Sequence, residues 1–179
     1  GIEGLYSQLF RLTVNWRADA IIIGGDLLPK HGSFRTSVED QRDFIIRFMK
    51  PKLEEINAKL PGLEVYAMMG NDDWIINMPY LEELQSHRFV RLRNNNKHRL
   101  ANGFEIIGHG NVPPTPFSIK DSERLYTADA PIDPQHFAVC ISTDKGIRQI
   151  DAVTHFSRHN TMEEELAKLP VPKSYQKTV

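Results

Sequence analysis

The sequence predicts an α/β fold in which helices alternate with the strands of a parallel sheet. Over residues 2–70, an amphipathic helix, a buried strand, a second helix and a second strand follow one another. Both strands are short apolar runs that close on glycine, in "AIIIGG" and "VYAMMG". Alternation of this kind builds parallel strands with right-handed crossovers. We therefore expect a sheet with helices packed on it.

Length and composition indicate one domain over residues 1–179. Apolar residues make up 40% of the chain and charged residues 25%, and the net charge is −1. The near balance of positive and negative charges gives no reason to expect nonspecific binding to nucleic acid or to a membrane. The composition does not indicate an oligomeric state. The chain has no apolar run long enough to span a membrane, no signal-peptide pattern, and a single cysteine, Cys140, in an apolar run. We expect a cytoplasmic protein.

The first two elements have the clearest patterns. A helix is predicted from residue 2 to Trp16, because its apolar positions recur with helical spacing. The run "ADAIIIGGD" at 18–26 follows. It is β-branched and bounded by glycines, which favours a strand buried on both faces of a parallel sheet.

The next helix is expected to begin at Ser37, which forms a capping-box-like pair with Asp40, and to continue to about residue 60. Pro51 interrupts its apolar stripe, so we expect a kink or two abutting helices. The run "LEVYAMMG" at 63–70 predicts the second strand, and a short helix is expected after Pro79.

The second half of the chain predicts two hairpins. Asn102-Gly103 lies between two short β-type runs, and "DKG" at 144–146 lies between two more. Thr161 and Glu164 form a capping box for a final helix over 162–169. Thr178-Val179 reads as the start of a further strand.

Polar side chains follow both predicted strands: Asp26 after the first, and Asn71, Asp72 and Asp73 after the second. Ligands of open α/β sheets bind beyond the carboxyl ends of the strands, so Asp26 and Asn71 converge if the strands are neighbours. Carboxylate and amide oxygens are hard ligands that suit divalent cations. The alternative is structural, because Asp and Asn are also common turn formers and helix N-caps.

Three motifs together resemble the calcineurin-like metallophosphoesterase family, in particular its bacterial and archaeal cytoplasmic members. They are "GGDLLP" at 24–29, "GNDDW" at 70–74 and "VPPTPF…KD" at 112–121. The resemblance implies an α/β/β/α sandwich with a dinuclear metal site. The family's Asp-x-His motif would lie before Gly1, and its last histidine motifs would lie after Val179. We therefore expect an incomplete metallophosphoesterase-like domain, truncated at both ends.

The resemblance also assigns roles to the polar residues. Asp26 would bridge the two metals, and Asn71 would bind the second metal. Asp72 stands where the family usually has a catalytic histidine, and Asp73 matches the acid that orients that histidine, which makes both catalytic candidates. A nearby dication would favour the charged carboxylate of Asp72, so a metal, water or helix-cap ligand suits this position better than a proton donor.

Histidines offer further candidates. His31, on the loop after the first strand, and His109, at the end of a later strand, could contact substrate, although a hydrogen-bonded turn histidine is the alternative for each. His155 and His159 have i, i+4 spacing, but "THFSRHN" at 154–160 reads as a loop, which disfavours a metal site there.

The function implied by the resemblance is hydrolysis of phosphate mono- or diesters by attack of a metal-bound hydroxide. Two divalent ions, Mn, Fe or Zn, would be bound in the full-length protein, and this fragment alone is expected to be inactive. The partner is a phosphate-ester substrate, and a nucleotide or nucleic acid would enter only as a substrate. The alternative function is a non-catalytic binding or scaffold domain. A Rossmann-type nucleotide binder is disfavoured, because no G-x-G-x-x-G follows either strand.

Overall fold

Three small β-sheets organise the part of the chain that the structure describes. A computed structural model describes residues 2–30, 34, 37–92, 95–133 and 138–173. Its helices are α1 (Ile2–Trp16), α2 (Ser37–Phe44), α3 (Lys50–Lys59), α4 (Met78–Ser86), α5 (Ala152–Phe156) and α6 (Met162–Leu166). Its strands are β1 (Ala20–Ile23), β2 (Glu64–Ala67), β3 (Arg91–Leu92), β4 (Lys97–Arg99), β5 (Glu105–Ile107), β6 (Val139–Thr143) and β7 (Gly146–Ile150).

The first sheet is parallel and has the order β1-β2-β3. Strands β1 and β2 pair from Ala20 opposite Glu64 to Ile23 opposite Ala67, so their carboxyl ends are level. The predicted parallel neighbours are therefore confirmed. This register places the segments that follow β1 and β2 side by side at one edge of the sheet.

Helix α1 has the predicted bounds and buries one face. Tyr6, Phe10 and Thr13 are its buried residues, and the Tyr6 ring contacts the rings of Phe44 and Phe48. Helical spacing brings the apolar residues to one side, and that side faces the helices that follow β1. The Tyr6 hydroxyl donates a hydrogen bond to the Leu27 carbonyl at 3.0 Å, which fixes α1 to the segment after β1.

The predicted interruption near Pro51 takes the form of a π-helical segment. Residues Ile45–Met49 are π-helical and join α2 to α3, whose first turn contains Pro51. Proline has no backbone N–H to donate and its ring crowds the preceding turn, so the wider π turn relieves both problems. Two abutting helices were one of the expected outcomes, but the π-helical joint was not predicted.

The main core lies among α1, α2, α3, α4 and the parallel sheet. It also contains three residues from the segments that follow β1 and β2, namely Leu27, Leu28 and Met69. Each of these three is at most 2% exposed. Burial of Leu27 and Leu28, which follow Asp26, and of Met69, which precedes Asn71, thus anchors the two polar segments to the core.

Both predicted hairpins are confirmed. Strand β4 pairs antiparallel with β5, and β6 pairs antiparallel with β7. Gly103 and Gly146 have positive φ angles of 86° and 101° in the two turns, a conformation that glycine adopts without steric cost. The capping box of Thr161 and Glu164 is also confirmed, although α6 is shorter than predicted. The strand expected at Thr178-Val179 lies outside the described residues.

The described chain is therefore a mixed α/β fold with parallel and antiparallel sheets. The motifs at 24–29 and 70–74 follow β1 and β2 of the parallel sheet, and the antiparallel hairpins belong to the second half of the chain. Among the helices in the described ranges, none is both long and apolar enough to cross a bilayer.

The contact between α1 and Leu27 can be tested with Tyr6→Phe. We expect this variant to lose about 1 kcal/mol of unfolding free energy, because the buried Leu27 carbonyl loses a donor while the ring packing is kept. Urea denaturation measures the change. Tyr126→Phe is the matched control, since Tyr126 is 57% exposed. Equal stability of the two variants would contradict the role given to the hydroxyl.

Candidate functional site at the carboxyl edge of the parallel sheet

The segments after β1 and β2 meet at one edge of the sheet. The Met68 N–H donates to the Ile23 carbonyl at 3.2 Å, which extends the pairing past the last strand residues. Beyond it, the backbone nitrogen of Asp72 lies 3.5 Å from Oδ1 of Asp26. The convergence predicted from the sequence is therefore confirmed for the segments that carry Asp26 and residues 70–73.

Gly70 allows these two segments to touch. A Cβ placed on Gly70 would lie 2.1 Å from Oδ1 and 2.4 Å from the backbone nitrogen of Asp26. Asp26 itself has a φ of 49°, which is uncommon for a residue with a side chain. The Asp26 carboxylate thus packs directly on the Gly70 backbone, while the residue stays exposed to solvent.

The Asp73 side chain forms hydrogen bonds with both segments. Its carboxylate accepts hydrogen bonds from the backbone N–H groups of Gly70 at 2.8 Å, Leu27 at 2.9 Å and Leu28 at 2.9 Å. The residue is fully buried. The structure shows Asp73 binding the main chain of both segments, and the catalytic role implied by the resemblance stays a prediction.

Burial raises the pKa of Asp73 to about 6. The three backbone N–H donors act in the opposite direction, because they favour the carboxylate, and the nearby charge of Asp26 raises the pKa further. Desolvation of the carboxylate outweighs its hydrogen bonds.

Asp72 forms an ion pair with Lys30. The Lys30 ammonium lies 2.6 Å from Oδ2 of Asp72, and the Asp72 side chain is only 14% exposed. Oδ1 of Asp72 is buried and has no hydrogen-bond partner in the described part of the chain. The ammonium also lies 4.4 Å from the centre of the Phe117 ring. Asp72 is thus a largely buried carboxylate that is paired with a lysine.

Both metal ligands predicted from the sequence lie at this edge of the sheet. Asp26 is exposed and Asn71 is half-buried, so both can offer an oxygen at this edge of the sheet. Across the described ranges, no three or more His, Cys, Asp or Glu residues are grouped so that they could hold a metal ion. A divalent ion held by Asp26 and Asn71 would take its remaining ligands from water, from substrate oxygens or from other residues.

The two substrate-contacting histidine candidates have different outcomes. His109 follows β5, and its Nε2 lies 3.0 Å from Oε2 of Glu165 in α6. Oε2 of Glu165 also accepts a hydrogen bond from Asn111 at 2.7 Å. Nε of Arg124 lies 3.5 Å from Oε1 of Glu165. His109 therefore belongs to a polar cluster that connects the β5 end to α6. His31 lies outside the described residues.

The loop predicted over 154–160 is wrong at its start. Thr154, His155 and Phe156 belong to α5, because Asp151 caps that helix by accepting the Thr154 N–H at 2.8 Å. The rings of His155 and His159 are 4.3 Å apart. Burial, followed by the charge of His159, lowers the pKa of His155 to about 4.

Sequence reasoning missed two residues that hold the turn after β2. Gln41 of α2 is buried, and it accepts the Trp74 N–H at 2.8 Å and donates to the Asp72 carbonyl at 2.9 Å. Asp121 accepts the N–H groups of Ile75 and Ser142 at 2.9 and 2.8 Å. The sequence indicated Asp121 only as the last residue of the third motif, at 112–121. Nothing in the sequence singled out Gln41, because it lies in a polar stretch of helix.

No protein-family model matches this chain, and no curated protein sequence is significantly similar to it. A solved crystal structure is similar to part of it, with 17% sequence identity and a TM-score of 0.43 over 62% of this chain. The chain spans about half of that structure's length, 49%. A similarity of this size carries no argument about function.

The close approach at Gly70 predicts a large effect for Gly70→Ala. The new Cβ would collide with the backbone nitrogen of Asp26, so we expect a loss of about 2 kcal/mol or more of unfolding free energy. Gly62→Ala is the matched control, since a Cβ there meets nothing within 4 Å, and its effect should stay within about 0.5 kcal/mol. Denaturant unfolding compares them. A Gly70→Ala variant as stable as Gly62→Ala would show that the two segments are farther apart.

The pKa of Asp73 predicts a pH dependence of stability. An ordinary Asp in the unfolded chain has a pKa of 3.8, and the folded value is about 6, so the folded state binds this proton more tightly. The contribution of Asp73 to stability is therefore fully present below pH 3.8 and is lost as the pH rises through about 6.

Carbon-13 NMR of the carboxyl groups measures this titration directly. Asp73 should titrate with a midpoint near 6, and Asp129, whose pKa is lowered by a hydrogen bond from Thr127, should titrate below the usual value. A midpoint of about 4 or less for Asp73 would mean that the backbone hydrogen bonds outweigh burial.

Proposed function

We propose that this chain is part of a metal-dependent phosphoesterase of the calcineurin-like type, with an α/β/β/α sandwich in the full-length protein. The observation that supports the proposal best is the meeting of Asp26 with residues 70–73 at the carboxyl ends of two adjacent parallel strands. Gly70 leaves room there for the Asp26 carboxylate. The order and spacing of the three motifs provide the second argument.

In enzymes of this class, divalent ions lower the pKa of bound water and neutralise charge on the phosphoryl oxygens. In this chain, Asp26 and Asn71 would offer oxygen ligands to such ions, and the remaining ligands would come from the full-length protein. Lys30 carries a positive charge beside the turn that follows β2 and is 58% exposed, so it can contact an anionic substrate. Asp73 and Gln41 would position this turn.

The second candidate is a non-catalytic binding or scaffold domain with the same fold. The Asp72–Lys30 ion pair favours it, because the family's usual histidine position holds a carboxylate that is already paired.

Hydrolysis of an aryl phosphate by the full-length protein with added Mn²⁺ tests the enzyme. We expect Asp26→Asn to reduce turnover at least about 100-fold, since a neutral amide cannot replace a bridging carboxylate. Asp43→Asn is the control, because Asp43 is 56% exposed and pairs with Arg47 on the surface of α2 and the π-helical segment. Unchanged turnover in Asp26→Asn would disprove the assignment of Asp26, and no turnover by the native protein would favour the scaffold domain.

A further inference from the structure

A cavity of about 420 Å³ lies beside Asp72. Its walls come from the segment after β1, from Phe34, from α2, from the turn after β2 and from residues 116–119. This volume falls in the range of small-molecule sites, which are about 300–1,000 Å³. The cavity shares Asp72 and Lys30 with the candidate functional site, so a bound molecule would extend towards that site.

Three aromatic residues line the cavity, Phe34, Trp74 and Phe117. Trp74 is fully buried, and its ring meets the Phe34 ring edge-on at 5.5 Å between centres. Phe34 and Phe117 are 46% and 48% exposed, which is unusual for phenylalanine. Aromatic side chains recognise planar rings through stacked or edge-on contacts. The two exposed phenylalanines are available for such contacts.

The polar side chains deeper in the cavity are already hydrogen-bonded within the protein. The Ser37 hydroxyl accepts the indole N–H of Trp74 at 2.9 Å and donates to the Phe34 carbonyl at 2.7 Å. The Gln41 amide is bound to the backbone of Asp72 and Trp74. A ligand therefore gains few hydrogen bonds from Ser37 and Gln41, which favours an apolar ring beside them.

Lys30 supplies the polar end of the cavity. Its ammonium has three N–H donors, and it contacts the carboxylate of Asp72 and the face of Phe117 while remaining largely exposed. A second anionic group can therefore approach it from solvent. Asp72 connects this point to the sheet edge, because its backbone nitrogen lies 3.5 Å from Oδ1 of Asp26.

We propose that this cavity binds the aromatic ring of an aryl phosphate ester, with the phosphate group at Lys30 on the side towards Asp26. The placement of the phosphate group rests on the proposed function, whereas the placement of the ring rests on the cavity itself. It names the substrate class: phosphate esters whose organic group is planar and aromatic.

Binding of two phosphonates tests the proposal without turnover, because their carbon–phosphorus bond is not an ester. Phenylphosphonate and methylphosphonate carry the same anionic group and differ in the ring. We expect phenylphosphonate to bind about tenfold more tightly to the 179-residue chain in the absence of metal, as burial of one ring in an aromatic site would give. Equal affinities would overturn the proposal.

The two tryptophans report where the ring binds. In a proton–nitrogen NMR titration, the indole signal of Trp74 should shift with phenylphosphonate, whereas that of Trp16, which is 76% exposed on α1, should not. A shift of Trp16 without a shift of Trp74 would place the ring elsewhere and would overturn the proposal.

Variants separate the ring from the anion. Phe117→Ala should remove most of the preference for phenylphosphonate, and Phe104→Ala should keep it, since Phe104 is also exposed but does not line the cavity. Lys30→Gln should weaken both phosphonates to a similar degree. A preference unchanged by Phe117→Ala would overturn the placement of the ring, and affinities unchanged by Lys30→Gln would overturn that of the phosphate.

The proposed function and this inference can fail separately. A ring preference in this chain, together with no phosphatase activity in the full-length protein, would contradict the enzyme and leave the aromatic site standing. Hydrolysis of alkyl and aryl phosphates at equal rates, with no ring preference in binding, would overturn the aromatic site and leave the enzyme standing.

Discussion

The Asp73 carboxylate holds together the two segments on which the candidate site is built. It accepts three backbone N–H groups, one from Gly70 on its own segment and two, Leu27 and Leu28, from the segment after β1. Leu27 and Leu28 are core residues, so these bonds join the polar edge of the sheet to the main apolar core. A buried carboxylate is costly to desolvate, and hydrogen bonds to its oxygens offset part of that cost.

The backbone of the turn after β2 is held from several sides at once. The N–H of Trp74 is bound by Gln41 of α2, the N–H of Ile75 by Asp121, and the N–H of Ile76 by the Ser142 hydroxyl of β6 at 3.1 Å. Successive amides are therefore satisfied by side chains from different elements. This arrangement fixes the turn that carries Asn71 and Asp72, and it connects the parallel sheet to the β6–β7 hairpin.

The side chains around Asp72 fit both candidate functions. Its ion pair with Lys30 balances charge beside the exposed Asp26 carboxylate, and both partners line the aromatic cavity. In a phosphoesterase, Lys30 would meet the anionic part of a substrate whose organic part occupies the cavity. In a non-catalytic domain, the same groups would bind an anionic aromatic ligand without reaction. Both uses depend on the side-by-side placement of β1 and β2.

Features set by neighbouring residues could be predicted from the sequence. The bounds of α1, the two hairpins and the capping box at Thr161 follow from apolar spacing, glycine turns and side chains three residues apart, all of which act locally. The placement of Asp26 near residues 70–73 also followed, because parallel neighbours bring their carboxyl ends together. By contrast, the π-helical joint before Pro51, the helical state of His155 and the burial of Gln41 were not predicted.

The order of the elements and the polar residues at the ends of β1 and β2 could be read from local patterns along the chain. What each carboxylate contacts depends on how distant segments pack against one another. Asp72 and Asp73 are adjacent in the chain, yet one faces a lysine near solvent and the other faces backbone amides in the interior. The difference arises because successive side chains of a turn point in different directions, and because Leu27, Leu28 and Lys30, which bind them, lie more than 40 residues away in the chain.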